Sequence, residues 1–103
     1  MARKRPARTE RRVQERAARQ LVRDREKLAA LVAGGAREHP IVVTSAAVIE
    51  VRTEALPCPQ CEGAYRIVEH RSEGAGVRAV EVKCRQCGVG RTLWFRIAAD
   101  EVN

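Results

Sequence analysis

Two Cys-x-x-Cys pairs, Cys58 to Cys61 and Cys84 to Cys87, contain all four cysteines of this 103-residue chain and stand 22 residues apart. Each pair can direct two thiolates at one metal ion, and two pairs complete a tetrahedral set of ligands. Proline follows the first cysteine of one pair and Gly88 follows the other pair. Both residues suit a tight turn whose backbone N–H groups point at the sulfurs. We therefore predict one structural zinc ion bound by Cys58, Cys61, Cys84 and Cys87.

The small number of large apolar residues makes such an ion necessary for stability. Only 23 residues are Leu, Ile, Val or Phe. A short chain with so thin a core usually needs a disulfide or a metal to stay folded. Zinc would meet this need, because folding and metal binding then share one free energy of order 10 kcal/mol.

Three segments around the cysteine pairs alternate as strands do. The first runs from Tyr65, and the sequence Gly74-Ala75-Gly76 predicts a hairpin turn after it. The next places Val80, Val82 and Cys84 on one side. The last follows the second cysteine pair and places Leu93, Phe95 and Ile97 on one face, with Thr92, Trp94 and Arg96 on the other.

The order of turn, strand, hairpin, strand, turn and strand resembles the zinc ribbon family over residues 58–97. The matching motifs are Cys-Pro-Gln-Cys at 58–61 and Cys-Arg-Gln-Cys-Gly at 84–88. The resemblance implies a three-stranded antiparallel sheet with zinc at one end. Glu62 departs from the family, because many ribbons have glycine directly after the second cysteine. A ribbon serves many roles, so the resemblance implies a fold and not a function.

Residues 1–35 form a basic N-terminal region. Residues 1–27 contain 11 Lys or Arg against 4 Asp or Glu, whereas residues 28–103 contain 9 of each. After a disordered tip at 1–8, the composition predicts a helix from Thr9 to Ala33 that ends at Gly34-Gly35. Its first half should project and its second half should dock or pair. An apolar stripe recurs at helical spacing, interrupted by Asp24: Val13, Ala17, Leu21, Leu28, Leu31 and Val32.

Arginines at steps of mostly three and four form a band along this helix, hereafter the arginine band: Arg8, Arg11, Arg12, Arg16, Arg19 and Arg23. Guanidinium groups match phosphate oxygens in pairs, so the band predicts contact with nucleic acid, either DNA or RNA. One alternative is a solvated helix balanced by pairs such as Arg11–Glu15 and Glu15–Arg19. Another is contact with an acidic protein surface.

The chain therefore divides into the basic region at 1–35, a connector at 36–57 and a ribbon at 58–103. His39-Pro40 marks the first boundary, because proline disfavours helix in the residue before it. Residues 41–43 and 47–53 read as extended, with Ile49 and Val51 on one face. The predicted fold class is α+β, with a basic helix, a short β segment and a three-stranded antiparallel zinc-ribbon sheet.

A second surface is predicted on the ribbon, where Trp94 and Arg96 share a face and Arg91 precedes them. An exposed indole beside guanidinium groups can stack a base or anchor a protein. The alternative is that Trp94 packs under the helix or under residues 41–53.

The sequence predicts a protein that is not an enzyme. Four thiolates fill the coordination shell of a zinc ion, and no motif of a nucleophile or general base is present. Iron bound as in rubredoxins, a redox-active cysteine pair and a zinc switch are weaker interpretations. The basic N-terminus is not followed by an apolar run, so we expect a cytoplasmic protein.

Two functions follow from these features. The first is a small nucleic-acid-binding accessory protein that uses its arginine band and has no membrane or small-molecule ligand. The second is an assembly module, which pairs with a second copy or a protein partner through the apolar stripe of the helix.

Overall fold

The computed structural model describes residues 7–98. Two helices and four strands follow one another along the chain: α1 (Ala7–Leu31), β1 (Ile41–Val43), α2 (Ala46–Ala55), β2 (Tyr65–Gly74), β3 (Val77–Cys84) and β4 (Gly90–Ile97). The four strands form one sheet in the order β1-β4-β3-β2. An N-terminal helix followed by a sheet confirms the predicted α+β class.

The three predicted antiparallel strands are present, and the predicted β segment at 41–43 adds a fourth strand that makes the sheet mixed. Strands β2, β3 and β4 pair antiparallel, whereas β1 pairs with β4 in parallel. In this register Ile41 lies opposite Phe95, and Val43 lies opposite Ile97. The pairing buries Ile41 and Val43, which explains why a three-residue strand joins the edge of the sheet.

Residues 47–53 were predicted to be extended, and that prediction is wrong because they lie in helix α2. The alternation of Ile49 and Val51 imitates a strand face, but Ile49 is buried and Val51 is 66% exposed. The residue that shares the buried face with Ile49 is Thr53, four positions later, as helical geometry requires. Ser45, in extended conformation, precedes the helix, and Pro57 follows its end.

The core lies on one face of the sheet, where α2 packs. It combines the predicted inward residues of β3 and β4 with residues from the connector and with two of the cysteines: Ile41, Val43, Ile49, Cys58, Tyr65, Val80, Val82, Cys84, Leu93 and Phe95. Two of the ten, Cys58 and Cys84, are candidate metal ligands, so the four-cysteine cluster adjoins the core.

Helix α1 begins two residues earlier than predicted and ends two residues earlier. Of the predicted tip, residues 1–6 lie outside the described part of the chain, and Ala7 and Arg8 are helical. Gly34, with φ of +87°, follows the helix and allows the chain to turn back. Residues 7–24 are exposed, whereas Arg25, Glu26 and Ala29 near the end of α1 are partly buried. Across residues 7–98, no helix combines the length and the apolar character that crossing a membrane requires.

Candidate metal centre and the basic helix beside it

The two cysteine pairs come together at one end of the sheet. Cys58 Sγ lies 3.8 Å from Cys87 Sγ, and Cys61 Sγ lies 3.3 Å from Cys84 Sγ. All four sulfurs lie within 4.8 Å of one another. A tetrahedral site with metal–sulfur bonds of about 2.3 Å places its sulfurs about 3.8 Å apart. The four cysteines can therefore bind one metal ion.

Each cysteine pair is held in a turn whose N–H groups face sulfur. The first turn leads from α2 to β2, and the second connects β3 to β4. The N–H groups of Gln60 and Gln86 donate to Cys58 Sγ and Cys84 Sγ at 3.4 and 3.3 Å. The N–H of Gly63 donates to Cys61 Sγ at 3.4 Å. Such donors stabilise the thiolate form, which is the form that binds a metal.

The unusual Glu62 takes the backbone conformation of a glycine. Its φ is +66°, and Gly88 at the equivalent position of the second turn has φ of +80°. Both residues donate a backbone hydrogen bond to the first cysteine of their pair, Glu62 to Cys58 O at 2.7 Å and Gly88 to Cys84 O at 3.0 Å. The departure from the ribbon pattern therefore leaves the geometry of the turn and the ligand set intact.

The surroundings of the four sulfurs shift the pKa values of Cys84 and Cys61 in opposite directions. The N–H of Cys87, followed by that of Gln86, lowers the pKa of Cys84 to about 6. The N–H of Gly63 lowers the pKa of Cys61, but burial and the three neighbouring cysteines outweigh it and raise that pKa to about 12. Because four sulfurs at such distances cannot all carry charge alone, a cation between them is the natural counter-charge.

All six members of the arginine band are exposed on α1. At about 100° per residue, every one lies within about 80° of Glu26 around the helix axis. Glu26 lies on the side of α1 that meets the sheet, because its carboxylate bonds to Arg91 of β4. The members of the apolar stripe within α1 lie at least about 140° from Glu26. The arginine band therefore faces the sheet side of the helix, and the apolar stripe faces away from it.

Arg91 forms an ion pair with Glu26 of the same chain. Its two terminal nitrogens lie 2.8 and 2.6 Å from the Glu26 carboxylate oxygens, and its side chain is 10% exposed. Strand register places Arg91 opposite Val82, on the core face of the sheet and not beside Trp94. Burial acts to raise the pKa of Glu26, but the hydrogen bonds from Gln60 and Arg91 outweigh it and lower that pKa. The ion pair therefore joins α1 to β4 with both charges kept.

Trp94 and Arg96 remain on the other face of the sheet, as predicted. Arg96 is exposed, and Trp94 is partly buried with its backbone N–H bonded to Gly34 O at 2.8 Å. The Arg37 guanidinium lies over the indole ring, 5.7 Å from its centroid. Trp94 is thus partly covered by the loop after α1. The arginine beside its indole ring is Arg37, whereas the sequence predicts Arg91 there.

Sequence reasoning missed Glu26, Gln60 and Arg37. Glu26 is one of only four acidic residues in a strongly basic segment, which is a weak signal for an internal partner. Gln60 has no signal of its own, because Gln86 occupies the same place in the second pair. Arg37 lies in a loop, where no helical or strand periodicity indicates which way a side chain points.

The four-cysteine cluster at the end of a small sheet is consistent with a zinc ribbon. No protein-family model matches the chain, and neither a curated protein nor a solved structure matches it at a significant level. The metal site rests on the positions of the four cysteines themselves.

Proposed function

We propose that Cys58, Cys61, Cys84 and Cys87 bind one zinc ion whose role is structural, in a zinc-ribbon domain. Tetrahedral thiolate coordination is the preferred environment of structural zinc. All four ligands come from the protein, so no coordination position is left for substrate or water. Four free thiols also fit a reducing compartment such as the cytoplasm. The protein is then a binding protein and not an enzyme.

We further propose that the arginine band contacts nucleic acid. The observation that carries this proposal is that, within residues 7–98, no arginine of the band forms a salt bridge. The pairs Arg11–Glu15 and Glu15–Arg19, which would favour a solvated helix, are not among the ion pairs of this region. Six guanidinium groups on one side of a projecting helix form a strip of positive charge suited to phosphates.

A salt series tests this proposal. Binding of the metal-loaded protein to a duplex DNA and to a structured RNA is measured by fluorescence anisotropy. Neutralising about six phosphates predicts a log–log slope of affinity against salt near −5 on B-DNA. Replacing Arg12 and Arg16 by Gln should reduce the slope by about 2. The same replacement at Arg52 and Arg66, exposed on α2 and β2, is the matched control. Absence of binding at about 50 mM salt would remove the proposal.

Self-association through the apolar stripe is the second candidate function. It is favoured by the exposure of Leu21, Leu28 and Leu31, which are 48, 64 and 72% exposed on the side of α1 that faces away from the sheet. Two such helices paired side by side would keep their arginine bands on outer surfaces. Sedimentation of the wild type beside a variant with Leu21 and Leu28 changed to Gln separates this function from the first. A dimer that the variant loses, together with absent nucleic-acid binding, would favour assembly.

A further inference from the structure

We propose that the first cysteine turn, residues 58–61, also provides the docking site for helix α1, hereafter the socket. Within it, Gln60 is the residue that positions the arginine band. Gln60 uses its main chain and its side chain for this purpose. Its backbone N–H points at Cys58 Sγ at 3.4 Å, and its carbonyl oxygen accepts a hydrogen bond from Arg25 Nη1 at 2.9 Å. Its side-chain Nε2 donates to Val22 O at 3.0 Å and to Glu26 Oε2 at 2.7 Å. One residue therefore bridges the metal site and the helix.

Polar contacts, and not apolar burial, hold the helix at this point. No residue of α1 is fully buried. Glu26 is bound both by Gln60 from the cysteine turn and by both terminal nitrogens of Arg91 from β4. Charged hydrogen bonds with two donors restrict direction more than an apolar contact does. The direction in which α1 leaves the sheet thus depends on this small set of bonds.

Metal binding completes the socket. The metal would hold Cys58 and Cys61 together, and Gln60 lies between them. A shared ion would therefore fix the orientation of the Gln60 backbone, so that its carbonyl oxygen and side chain face α1 together. Loss of the metal should release the helix from the sheet even where the helix itself persists.

The second cysteine turn provides a matched comparison within the same chain. Gln86 occupies the place of Gln60, and its N–H donates to Cys84 Sγ at 3.3 Å. Within residues 7–98, however, the side chain of Gln86 makes no hydrogen bond, and the residue is exposed. In the part of the chain that the structure describes, Gln86 thus bonds only to the sulfur of its own turn, whereas Gln60 bonds both to the sulfur of its turn and to helix α1.

The consequence for binding rests on the proposed nucleic-acid function. A helix held in one direction presents its arginine band already oriented, and a freed helix must be ordered when it binds. We expect Gln60→Ala to weaken nucleic-acid affinity about 3- to 10-fold. The salt slope should not change, because the number of phosphate contacts is unchanged. This separates a positioning residue from a contact residue such as Arg16, whose loss lowers affinity and slope together.

Nuclear magnetic relaxation of backbone amides tests the socket directly. In the zinc-loaded wild type, the amides of residues 8–24 should tumble together with those of the sheet. Gln60→Ala should give them separate, faster motion while metal stoichiometry stays at one per chain, and Gln86→Ala should resemble the wild type. Glu26→Gln, which leaves the cysteine turn unaltered, should also loosen the helix. Helix and sheet that still tumble as one body in both Gln60→Ala and Glu26→Gln would overturn the proposal.

Binding assays on the same proteins separate the two proposals. If the wild type binds no nucleic acid but Gln60→Ala frees the helix, the socket stands and the nucleic-acid function fails. If Gln60→Ala frees the helix and affinity stays equal to that of Gln86→Ala, the positioning role in binding is overturned. A fall in affinity with a constant salt slope supports the whole inference.

Discussion

Glu62 shows how one residue can depart from a motif without changing it. Its φ of +66° lies in the left-handed region, which costs a residue with a side chain about 1–2 kcal/mol. A glycine at this position avoids this cost. Its greater conformational freedom in the unfolded chain offsets part of the resulting gain in stability.

We therefore expect Glu62→Gly to stabilise the metal-loaded protein by about 0.5–1 kcal/mol, measured by denaturant unfolding. Glu62→Ala is the control, because it removes the carboxylate and keeps the strained φ. The interpretation fails if the glycine variant is no more stable than the alanine variant.

Gly63 is constrained by space and not by φ. A Cβ at this position would lie 2.8 Å from Gln86 Cβ, 3.0 Å from Cys84 Sγ and 3.2 Å from Cys61 Sγ. Gly63→Ala should therefore push the two cysteine turns apart and weaken metal affinity about 10- to 100-fold, the range seen when the surroundings of metal ligands are disturbed.

Competition with a chromogenic chelator measures this loss. Gly90→Ala is the matched control, because its Cβ would lie 3.7 Å from Val82 O and 3.8 Å from Lys83 Cγ, at ordinary van der Waals distances. Equal metal affinity in the two variants would contradict the crowding argument.

At the scale of elements, helix α2 has one polar position on its buried face. Thr53 is 0% exposed, and within the described residues its hydroxyl oxygen has no hydrogen-bond partner. A buried hydroxyl without a partner costs about 1–3 kcal/mol, and valine has nearly the same shape. Thr53→Val should stabilise the protein by about 1 kcal/mol in thermal or denaturant unfolding.

The control for α2 is Thr44→Val, at an exposed position just before the helix. It should change stability by less than about 0.5 kcal/mol. A destabilising Thr53→Val would show that the hydroxyl has a partner in solution, such as a bound water.

At the scale of the whole molecule, the core is small, so we expect the sheet to depend on the proposed zinc ion. Removal of that ion by a strong chelator should unfold the sheet, because a structural zinc ion would contribute on the order of 10 kcal/mol. The near-ultraviolet circular dichroism of Trp94 and Tyr65 should collapse. The helical signal of α1, a 25-residue helix, should fall less.

Re-addition of zinc should restore the aromatic signal, and a Cys84→Ser variant should resemble the metal-free protein. An unchanged aromatic signal in material shown by elemental analysis to be metal-free would refute the structural role of the ion.

Local patterns predicted much of this molecule. The four cysteines, the hairpin near residues 74–76 and the inward faces of β3 and β4 follow from spacing and alternation, which depend only on neighbours in the chain. The strong helical composition of α1 likewise needed no partner. The conformation of residues 47–53 was predicted wrongly because Ile49 and Val51 fit a strand period of two as well as part of a helical turn. Packing against the sheet favours the helix, because the helix buries Ile49 together with Thr53.

The sequence by itself therefore determined the candidate metal ligands, the basic helix and most of the strands. Only the tertiary structure decided that β1 pairs in parallel with β4, that Arg91 points inward to Glu26, and that Gln60 differs from Gln86. These outcomes depend on which segments meet across 34 to 65 positions of sequence. Propensity and spacing act over a few residues and contain no information about such encounters, whereas burial and charge pairing in the folded chain select them.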